Sequence, residues 1–565
     1  MTKLVICEKK DAAKRIASAL GKYKIIDING VKVFAVNDYI ICYASGHLYN
    51  LDSNKRGYPI FEVFWKPIPK AYRLIKTISE VSRDASIFIN ACDFDQEGEV
   101  IAYNILRFAC NDSYNKTLRA KFSSLTKDEI NMAFSTLEPN LKYKGLAEAG
   151  ITRHMLDYIY GINLSRALID ASKNILSIGR VQGPTLAFII EREIEIMLHI
   201  PNPYWIINAI LSKDDEEFDA RYESIVYNKK ESEEIVNRCT NKDGKVKEID
   251  KRLIYIEPPT PFNLIDLQRE AYIHLKLNAS KTLEIAEKLY LDALISYPRT
   301  SSQILPKINY KNIIKSLSSI NSYKDKALFL LQKSNLKPRN GTKDDPAHPA
   351  IYPTGIISKN LSTIEYKVYD LIVRRFLATF MEDAIIENLE VSIDIEGYIF
   401  KSNGKRIVRE SWLNFYGRYN EKTLPALNVG EIVKNIAIIS NEEFTKPKPR
   451  FNTSSLLALM ENEKLGTKST RALIIDTLIK RGYITPQFKP TKLGFVVYEI
   501  MDIYMKEILS LELTREMEEK LEDIEEGSLK PSNVISDATE NVLKALNRFV
   551  ENKRTISLQL SNINK

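Results

Sequence analysis

Two kinds of hydrophobic spacing alternate at the start of the chain. Short, nearly continuous apolar runs at 4–7 and 86–91 predict buried strands. Each run is followed by apolar residues at helical spacing, at 12–20 and, after a polar turn, at 100–109. Strands that alternate with helices are typical of a parallel α/β unit, which we expect over about the first 140 residues.

Residues with capping chemistry mark the ends of these helices. Asp11 is the predicted N-cap of the first helix, and Gly21 is predicted to end it. Thr126 and Glu129 have the spacing of a capping box, in which each side chain bonds the other residue's backbone, and they predict a further helix.

The remainder divides into helical and strand-rich stretches separated by prolines at 201–203, 258–261 and 447–449. The patterns predict helices at 145–200, 264–291, 364–380 and 450–548, strands at 205–257 and 385–437, and a polar, frayed tail after Arg554. A helical stretch between two strand-rich ones suggests a domain built from discontinuous segments.

The predicted domains follow from this pattern. They are an α/β domain at 1–144, a helical domain from 145–203 with 438–548, a β-rich domain from 204–262 with 385–437, a second helical domain at 263–384, and a tail at 549–565.

Composition adds few constraints. The 565 residues are 44% hydrophobic and 27% charged, an ordinary globular balance, and a net charge of +8 is compatible with a nucleic-acid partner without indicating one. No apolar run is long enough for a transmembrane helix, and the start lacks a signal-peptide pattern, so we expect a cytoplasmic protein. The five cysteines form no C-x-x-C pair, which predicts reduced thiols and no zinc ribbon or disulfide framework.

A cluster of carboxylates is the first chemical signal. Asp93, Asp95, Glu97 and Glu99 lie within seven residues directly after a predicted strand, where parallel sheets place their ligand crevice. Anions this close repel one another unless a cation or protons intervene. Mg²⁺ suits a few carboxylates with water and substrate phosphate, and we expect Mn²⁺ as its substitute.

Glu8 follows the first strand and is expected at the same edge of the sheet. It either completes the metal cluster or remains off the metal as a proton donor. Lys9 is either a phosphate ligand or an ordinary surface lysine. The alternative for the whole segment is a solvated acidic turn.

The order of these acidic residues resembles a Toprim domain. The matching residues are Glu8-Lys9 after a strand and Asp93-x-Asp95-x-Glu97-Gly98-Glu99 before a helix. Toprim domains occur in topoisomerases, primases and some nucleases, so this resemblance alone leaves three enzyme classes open.

A second motif resembles the active-site segment of type IA DNA topoisomerases. It reads Leu294-Ile295-Ser296-Tyr297-Pro298-Arg299-Thr300. A tyrosine oxygen can attack a phosphodiester and hold the cut end covalently. A guanidinium two residues later can bind the phosphate and stabilise charge in the transition state. The resemblance implies that Tyr297 is the nucleophile and Arg299 a phosphate ligand.

Three later segments resemble the DNA-binding motifs of the same family. They are 177–186, with Ser177, Arg180 and Gln182; 348–354, with His348; and 463–471, with Thr467, Lys468 and Ser469. Each assignment has a structural alternative. Arg180 could be an ion-pair partner and His348 a structural histidine. The third segment could be a solvated basic face. Ser45-Gly46-His47-Leu48 also resembles a family segment, to which we assign no role.

The sequence departs from the family pattern in three places. Gln96 stands where many members have an arginine, so we assign it no catalytic role. Ser301-Ser302 stand where many members have an acidic residue. The zinc ribbons found at the carboxyl end of many members are missing, and we expect no zinc. The motifs therefore predict strand cleavage more firmly than they predict strand passage or the preferred substrate.

The resemblance implies a multidomain fold, α/β plus mainly α. It would consist of a Toprim domain with a parallel sheet and a toroidal type IA topoisomerase core with a smaller β-rich arch, around a central hole. The implied enzyme is an ATP-independent, single-strand-passing isomerase that cuts through a 5′-phosphotyrosine link.

Its expected substrates are single-stranded DNA and negatively supercoiled or partly melted duplex. We expect a monomer at the nucleoid, with no membrane partner and with a helicase or single-strand-binding protein as candidate partner. The alternatives are the topoisomerase half of a reverse gyrase, although no P-loop is present, a Toprim nuclease or primase, and a basic DNA-binding scaffold without activity.

Overall fold

A computed structural model describes residues 2–358, 360–417, 421–468 and 470–561. The N-terminal domain contains nine strands, numbered here in chain order: β1 (Thr2–Cys7), β2 (Lys24–Ile28), β3 (Val31–Val36), β4 (Tyr39–Tyr43), β5 (Tyr49–Asp52), β6 (Phe64–Pro67), β7 (Ala85–Asn90), β8 (Thr117–Arg119) and β9 (Glu138–Pro139). Seven of them form one sheet in the order β2-β3-β4-β1-β7-β8-β9, and β5 pairs with β6 separately.

The centre of this sheet is parallel, as the alternating pattern predicts. Strand β1 pairs in parallel with both β4 and β7, and β7 pairs in parallel with β8. The edge strands pair antiparallel. Because the parallel strands end at one edge, the loops after β4, β1 and β7 lie side by side there.

Four helices cover the sheet: α1 (Lys10–Leu20), α2 (Tyr72–Arg83), α3 (Gln96–Phe108) and α4 (Lys127–Ser135). Helix α1 ends at Gly21 as predicted, but its N-cap is Lys9, so Asp11 lies in the first turn. Helix α3 begins four residues before the predicted start, because Asp95 caps it.

The predicted capping box of helix α4 is wrong, although the helix itself is present. Thr126 is the N-cap but makes no side-chain cap hydrogen bond. The Glu129 carboxylate accepts hydrogen bonds from the Ser123 backbone and the Ser124 hydroxyl instead.

Two long helices follow, α5 (Lys144–Ser172) and α6 (Gln182–Leu198). The next strand-rich stretch holds β10 (Pro203–Lys213), β11 (Glu216–Tyr222), helix α7 (Lys229–Cys239) and β12 (Gly244–Ile256), and the later one holds β13 (Ala384–Ile395), β14 (Tyr398–Arg409) and β15 (Ile432–Phe444). The six strands form a closed barrel in the order β10-β11-β14-β13-β12-β15. Helix α7 was not predicted, and β15 continues past the predicted end at 437.

Residues 257–383, called the tyrosine segment below, connect β12 to β13. Its helices are α8 (Leu264–Leu275), α9 (Ala279–Leu291), α10 (Tyr310–Leu317), α11 (Lys324–Leu331) and α12 (Thr363–Ala378). Both of its ends leave the barrel at paired positions, since Ile256 lies opposite Ala384 in the β12–β13 pair.

The last part of the described chain is helical: α13 (Thr453–Asn462), α14 (Arg471–Lys480), α15 (Lys492–Tyr504), α16 (Leu511–Glu526), α17 (Pro531–Glu551) and α18 (Lys553–Ser561). The predicted fraying is wrong for residues 555–561, because Ile556 and Leu560 of α18 are buried in the same core as α5. Their spacing of four places them on one helix face. Residues 562–565 of the predicted tail lie outside the described residues.

Three buried hydrophobic clusters organise these parts. The first combines the N-terminal domain with the tyrosine segment, the second combines α5 and α6 with α13–α18, and the third fills the barrel. The shared first cluster fixes the tyrosine segment against the carboxyl edge of the sheet. No helix in the described ranges has the length and apolar character needed to span a membrane.

Candidate active site

The carboxyl edge of the parallel sheet positions two of the predicted acidic residues. Glu8 follows β1 and Asp93 follows β7, and these strands are neighbours, so both side chains emerge at one place. Both are buried. Asp95 caps helix α3, its side chain accepting the Gly98 backbone N–H at 2.8 Å.

Gly98 is required by the tight packing of this turn. A Cβ at this position would lie 2.1 Å from the Asp93 backbone oxygen, much closer than any real contact. Gly98 lies inside helix α3, so its role is to leave space rather than to allow an unusual backbone angle. The turn therefore holds Asp93 and Asp95 in fixed positions.

Tyr297 lies against these aspartates. Its backbone N–H donates to the Ser123 carbonyl oxygen at 2.7 Å, and its phenol donates to Asp95 Oδ2 at 2.6 Å. The neighbouring Tyr290 of α9 places its phenol 3.4 Å from Asp93 Oδ1. Two tyrosines of one segment thus meet two aspartates of the other across the seam between them.

The two predicted phosphate ligands share one carboxylate partner. Arg299 Nε donates to Glu287 Oε1 at 2.8 Å, and a second guanidinium nitrogen contacts the same oxygen. Lys9 Nζ lies 3.4 Å from Glu287 Oε2 and 3.5 Å from Glu8 Oε1. Glu287 and Tyr290 were missed from sequence, because neither belongs to a motif and both reach the site only through the packing of α9.

Burial and charge crowding shape the protonation of this site. Burial, reinforced by Asp93, raises the pKa of Glu8 from 4.5 to about 8, while Lys9 opposes the shift. Burial likewise raises the pKa of Asp93 and of the Tyr297 phenol. Glu8 Oε2 is buried with no hydrogen-bond partner among the described residues. Burial therefore favours the protonated form of the Glu8 carboxyl group, and one of its oxygens is left open to a ligand.

His348 lies directly on the tyrosine ring. The two ring centroids are 4.4 Å apart, and His348 Nδ1 lies 3.0 Å from the Ser123 hydroxyl. Burial lowers the pKa of His348 to about 4, so the ring is neutral at physiological pH. Its Nε2 is buried and lacks a partner among the described residues.

The structure gives Glu97 different partners from those predicted. Its Oε2 lies 2.8 Å from His47 Nε2 and 3.2 Å from His154 Nε2. Burial acts to raise the pKa of Glu97, but the two histidines outweigh it and lower the pKa below the usual range. Glu97 is therefore turned toward these histidines, and its role as a metal ligand beside Asp93 and Asp95 stays a prediction.

Arg180 is engaged in a network of ion pairs inside the helical region. It is buried, and its guanidinium donates to Asp157 and to Glu518, each at 2.8 Å. Arg153 grips the same Glu518 with two hydrogen bonds. The ion-pair alternative considered for Arg180 is therefore the one that the structure supports.

The other predicted DNA ligands lie on different parts of the helical region. Gln182 begins α6, and its Oε1 is buried without a partner among the described residues. Ser177 exchanges backbone hydrogen bonds with the Tyr483 hydroxyl.

In the third predicted segment, Thr467 bonds Thr470, and Lys468 pairs with Asp345. Asp345 in turn accepts the Ser301 backbone N–H, so Lys468 is linked to the tyrosine motif. The predicted Ser469 lies outside the described residues.

The donor set at the seam fits a divalent oxygen-seeking cation. Glu8, Asp93 and Asp95 supply carboxylate oxygens of the kind that Mg²⁺ prefers, and Glu8 retains the unpartnered oxygen noted above. Burial first and the neighbouring carboxylates second raise the pKa of Glu8 and Asp93, and a bound cation would relieve the repulsion between these groups.

Comparisons with known proteins agree with this geometry. Residues 3–125 match the profile of the Toprim domain, and residues 142–536 match the profile of the DNA topoisomerase family. Together the two matches cover both sides of the seam.

Full-length relatives point to the same family. The chain is 42% identical to DNA topoisomerase 1 of Pyrococcus horikoshii, over 99% of this chain and 86% of that protein. It is also 42% identical to DNA topoisomerase 1 of Methanocaldococcus jannaschii, over 99% of this chain and 76% of that protein.

The fold can be compared with a solved structure. Full-length topoisomerase I from Thermotoga maritima superposes with a TM-score of 0.79 at 27% identity, covering 96% of this chain and 90% of that one. Both profiles, the full-length relatives and the fold lead to one conclusion: this chain belongs to the type IA DNA topoisomerase family and carries an N-terminal Toprim domain.

Proposed function

We propose that this chain relaxes or unlinks DNA by cutting one strand with Tyr297, passing a strand through the break and resealing it, without ATP. The observation that carries the proposal is the hydrogen bond from the Tyr297 phenol to Asp95 across the seam. It brings a nucleophile and a carboxylate cluster together from two segments of the chain. The family match supports DNA relaxation, and the reverse gyrase, nuclease and scaffold alternatives are not favoured.

The proposed cleavage step moves two protons and exchanges one ester bond for another. The Tyr297 oxygen attacks phosphorus and gives up its proton, with Asp95 placed to accept it. The bond from phosphorus to the 3′ oxygen breaks, and Glu8 protonates that oxygen, a role consistent with its raised pKa. The tyrosine keeps the 5′ phosphate, and resealing runs the same steps in reverse.

Arg299 and Lys9 are proposed to hold the scissile phosphate. Both cations face Glu287, which positions them beside Glu8 and the tyrosine loop. Their positive charge would offset the negative charge that develops on the phosphate oxygens in the transition state. His348, packed on the Tyr297 ring, is proposed to orient the nucleophile.

Toprim domains typically bind Mg²⁺, and type IA topoisomerases need no ATP. We propose that Asp93 and Asp95 hold Mg²⁺, with Glu8 beside them and with Mn²⁺ as a substitute. When bound, the ion supplies positive charge that neutralises the carboxylates and attracts the DNA phosphates.

DNA binding outside the reacting centre is proposed to use the phosphate backbone. Ser177, Gln182, Thr467 and Lys468 are the candidate contacts, with Ser469 still a prediction from sequence. Because cleavage needs an unpaired strand, negatively supercoiled or partly melted DNA is the proposed substrate. The chain is proposed to act as a monomer at the nucleoid, beside a helicase or single-strand-binding protein.

The decisive test compares Tyr297→Phe with a matched buried tyrosine. Tyr323 lies in the same segment, is equally buried, and donates its phenol to Asp370 at 3.0 Å. With Mg²⁺ and no ATP, we expect Tyr297→Phe to lose plasmid relaxation and the 5′-linked covalent complex by about 10⁴-fold or more, since phenylalanine lacks the oxygen that forms the ester. Tyr323→Phe should retain both.

A different outcome would identify the nuclease alternative. If Tyr297→Phe still cuts the plasmid and leaves free ends, Tyr297 is not the nucleophile. Thermal unfolding of both variants checks that neither loss reflects misfolding.

A further inference from the structure

Three metal-binding side chains converge outside the proposed reacting centre. His47 lies in the loop after β4, Glu97 in the first turn of α3, and His154 on α5. One ligand atom from each lies within 4.8 Å of the other two, and no other such group of three is found within residues 2–358, 360–417, 421–468 and 470–561. The group joins elements that are 50 and 57 residues apart in sequence.

The geometry resembles a metal site with the ion replaced by protons. Both Nε2 atoms point at the same carboxylate oxygen, Glu97 Oε2, at 2.8 and 3.2 Å. The imidazole rings meet edge to face with centroids 5.0 Å apart. Ligand atoms about 2.0–2.2 Å from a tetrahedral ion are themselves a little over 3 Å apart. An ion could therefore enter with small side-chain movements, releasing the Nε2 protons.

The surroundings leave the site accessible yet supported. The three side chains are 24–29% exposed, which admits an ion and leaves room for water as a further ligand. The Trp65 ring packs against His154, with centroids 5.8 Å apart, and restricts one side of the site. Within the described part of the chain, Glu97 is the acidic side chain that forms ion pairs with both histidines.

The donor chemistry selects the class of ion. Two imidazoles with one carboxylate suit Zn²⁺ and related first-row ions, whereas Mg²⁺ prefers oxygen ligands throughout. All five cysteines are buried and unpaired, so none competes for an ion from solution. The prediction of no zinc rested on the absence of C-x-x-C pairs and zinc ribbons. It therefore did not consider a site made of histidine and glutamate.

We propose that His47, Glu97 and His154 bind a zinc-class divalent ion, separate from the Mg²⁺ proposed at Asp93 and Asp95. The bound ion ties the first turn of α3 to the loop after β4 and to helix α5. That turn begins at Asp95, which contacts Tyr297. The ion thus acts as a clamp that fixes the acidic turn relative to the helical region.

The test uses Co²⁺ as a spectroscopic probe and Zn²⁺ as competitor, on the untagged full chain without DNA. Saturating Mg²⁺ is present throughout to occupy oxygen-only sites. The wild type should bind one Co²⁺ with visible absorption bands that Zn²⁺ abolishes. His47→Gln and His154→Gln should each weaken binding by about 100-fold or more, since losing even an outer partner of a metal ligand costs 10–100-fold.

Two control variants make the result specific. His274 pairs with Glu270 at 3.0 Å, and among the described residues no third metal-binding side chain joins this pair, so His274→Gln should bind Co²⁺ like the wild type. Asp93→Asn should also retain the bands, which separates this site from the proposed Mg²⁺ site.

The proposal is overturned if the wild type shows no stoichiometric Co²⁺ site, or if His154→Gln binds it unchanged. It is also overturned if His274→Gln loses the same affinity. Far-UV circular dichroism checks the fold of each variant. Because binding is read without DNA, failure here leaves the proposed strand cleavage untouched.

Discussion

Two clusters of charge, both built around an arginine from a family-like motif, behave in opposite ways. Around Arg180, two arginines and two acids are fully paired, and Glu518 accepts hydrogen bonds from both guanidinium groups. Around Arg299, two cations face four carboxylates, from Glu8, Asp93, Asp95 and Glu287, and Glu8 keeps an unpartnered oxygen.

The difference separates a structural network from a reactive one. In the first cluster the carboxylate is stabilised as an anion, since Arg153 and Arg180 outweigh burial and lower the pKa of Glu518 to about 2. In the second, burial and neighbouring acids raise the pKa of Glu8 to about 8. A saturated cluster holds helices together, whereas an unbalanced one has the capacity to bind a cation, a phosphate or a proton.

The largest effect is expected from breaking the saturated cluster. Arg180→Ala leaves buried Glu518 and part-exposed Asp157 short of a partner and should destabilise the helical region by about 3–5 kcal/mol. Urea unfolding followed by circular dichroism measures the loss. Arg450, which also grips a glutamate with two hydrogen bonds but is 42% exposed, is the matched control and should matter much less.

A loss for Arg180→Ala no larger than that of the Arg450→Ala control would show that the buried cluster is not a structural brace. The Arg180 cluster would then not differ from the Arg299 cluster by a structural role.

The next effect falls on activity rather than stability. Arg299→Ala should slow cleavage of single-stranded DNA by about 10²–10³-fold, as when one transition-state donor is removed. Unfolding should change little, because Lys9 still contacts Glu287. Single-turnover cleavage of an end-labelled oligonucleotide measures the rate.

Arg299→Lys should recover only part of that rate, because an ammonium group lacks the two-pronged geometry of a guanidinium. A normal cleavage rate for Arg299→Ala, together with a large loss of stability, would place Arg299 in the same structural class as Arg180.

The smallest effect concerns the buried His348. Its pKa of about 4 in the fold lies below the unfolded value of 6.5, so acid protonates the unfolded chain first. The contribution of His348 to stability should therefore be constant above that value and fall as the pH drops, by about 2 kcal/mol near pH 5. Thermal unfolding at several pH values measures this slope.

The slope in acid should be shallower in His348→Asn than in the wild type, even though the variant starts less stable through the lost ring contact with Tyr297. Equal slopes would mean that other groups cause the acid sensitivity.

The fold was predictable wherever spacing was regular. The central parallel strands, α5 and α12 follow directly from their apolar periods. Helix α7 was hidden because it is a short polar helix between strands, with only three buried residues. The early start of α3 was missed because Asp95 was considered only as a possible metal ligand, although it is also the N-cap.

The candidate site was predictable only as far as its motifs reach. Tyr297, Glu8, Asp93 and Asp95 do come together, but Glu287 and Tyr290 carry no local signal. The sequence could not distinguish the surroundings of Arg180 from those of Arg299, because these depend on tertiary partners. The partner Glu518 lies 338 residues from Arg180, and Glu287 lies 12 residues from Arg299. The pairing of Glu97 with two histidines likewise depends on tertiary structure alone.

The barrel has a mechanical consequence for the tyrosine segment. Residues 257–383 are inserted into one antiparallel hairpin, since Ile256 and Ala384 are directly paired. Two adjacent, hydrogen-bonded tethers behave like a ribbon, which bends easily across its flat face and resists shear between its strands. Any displacement of the inserted segment is thereby channelled toward one direction of bending, and it requires no change in the separation of its two ends.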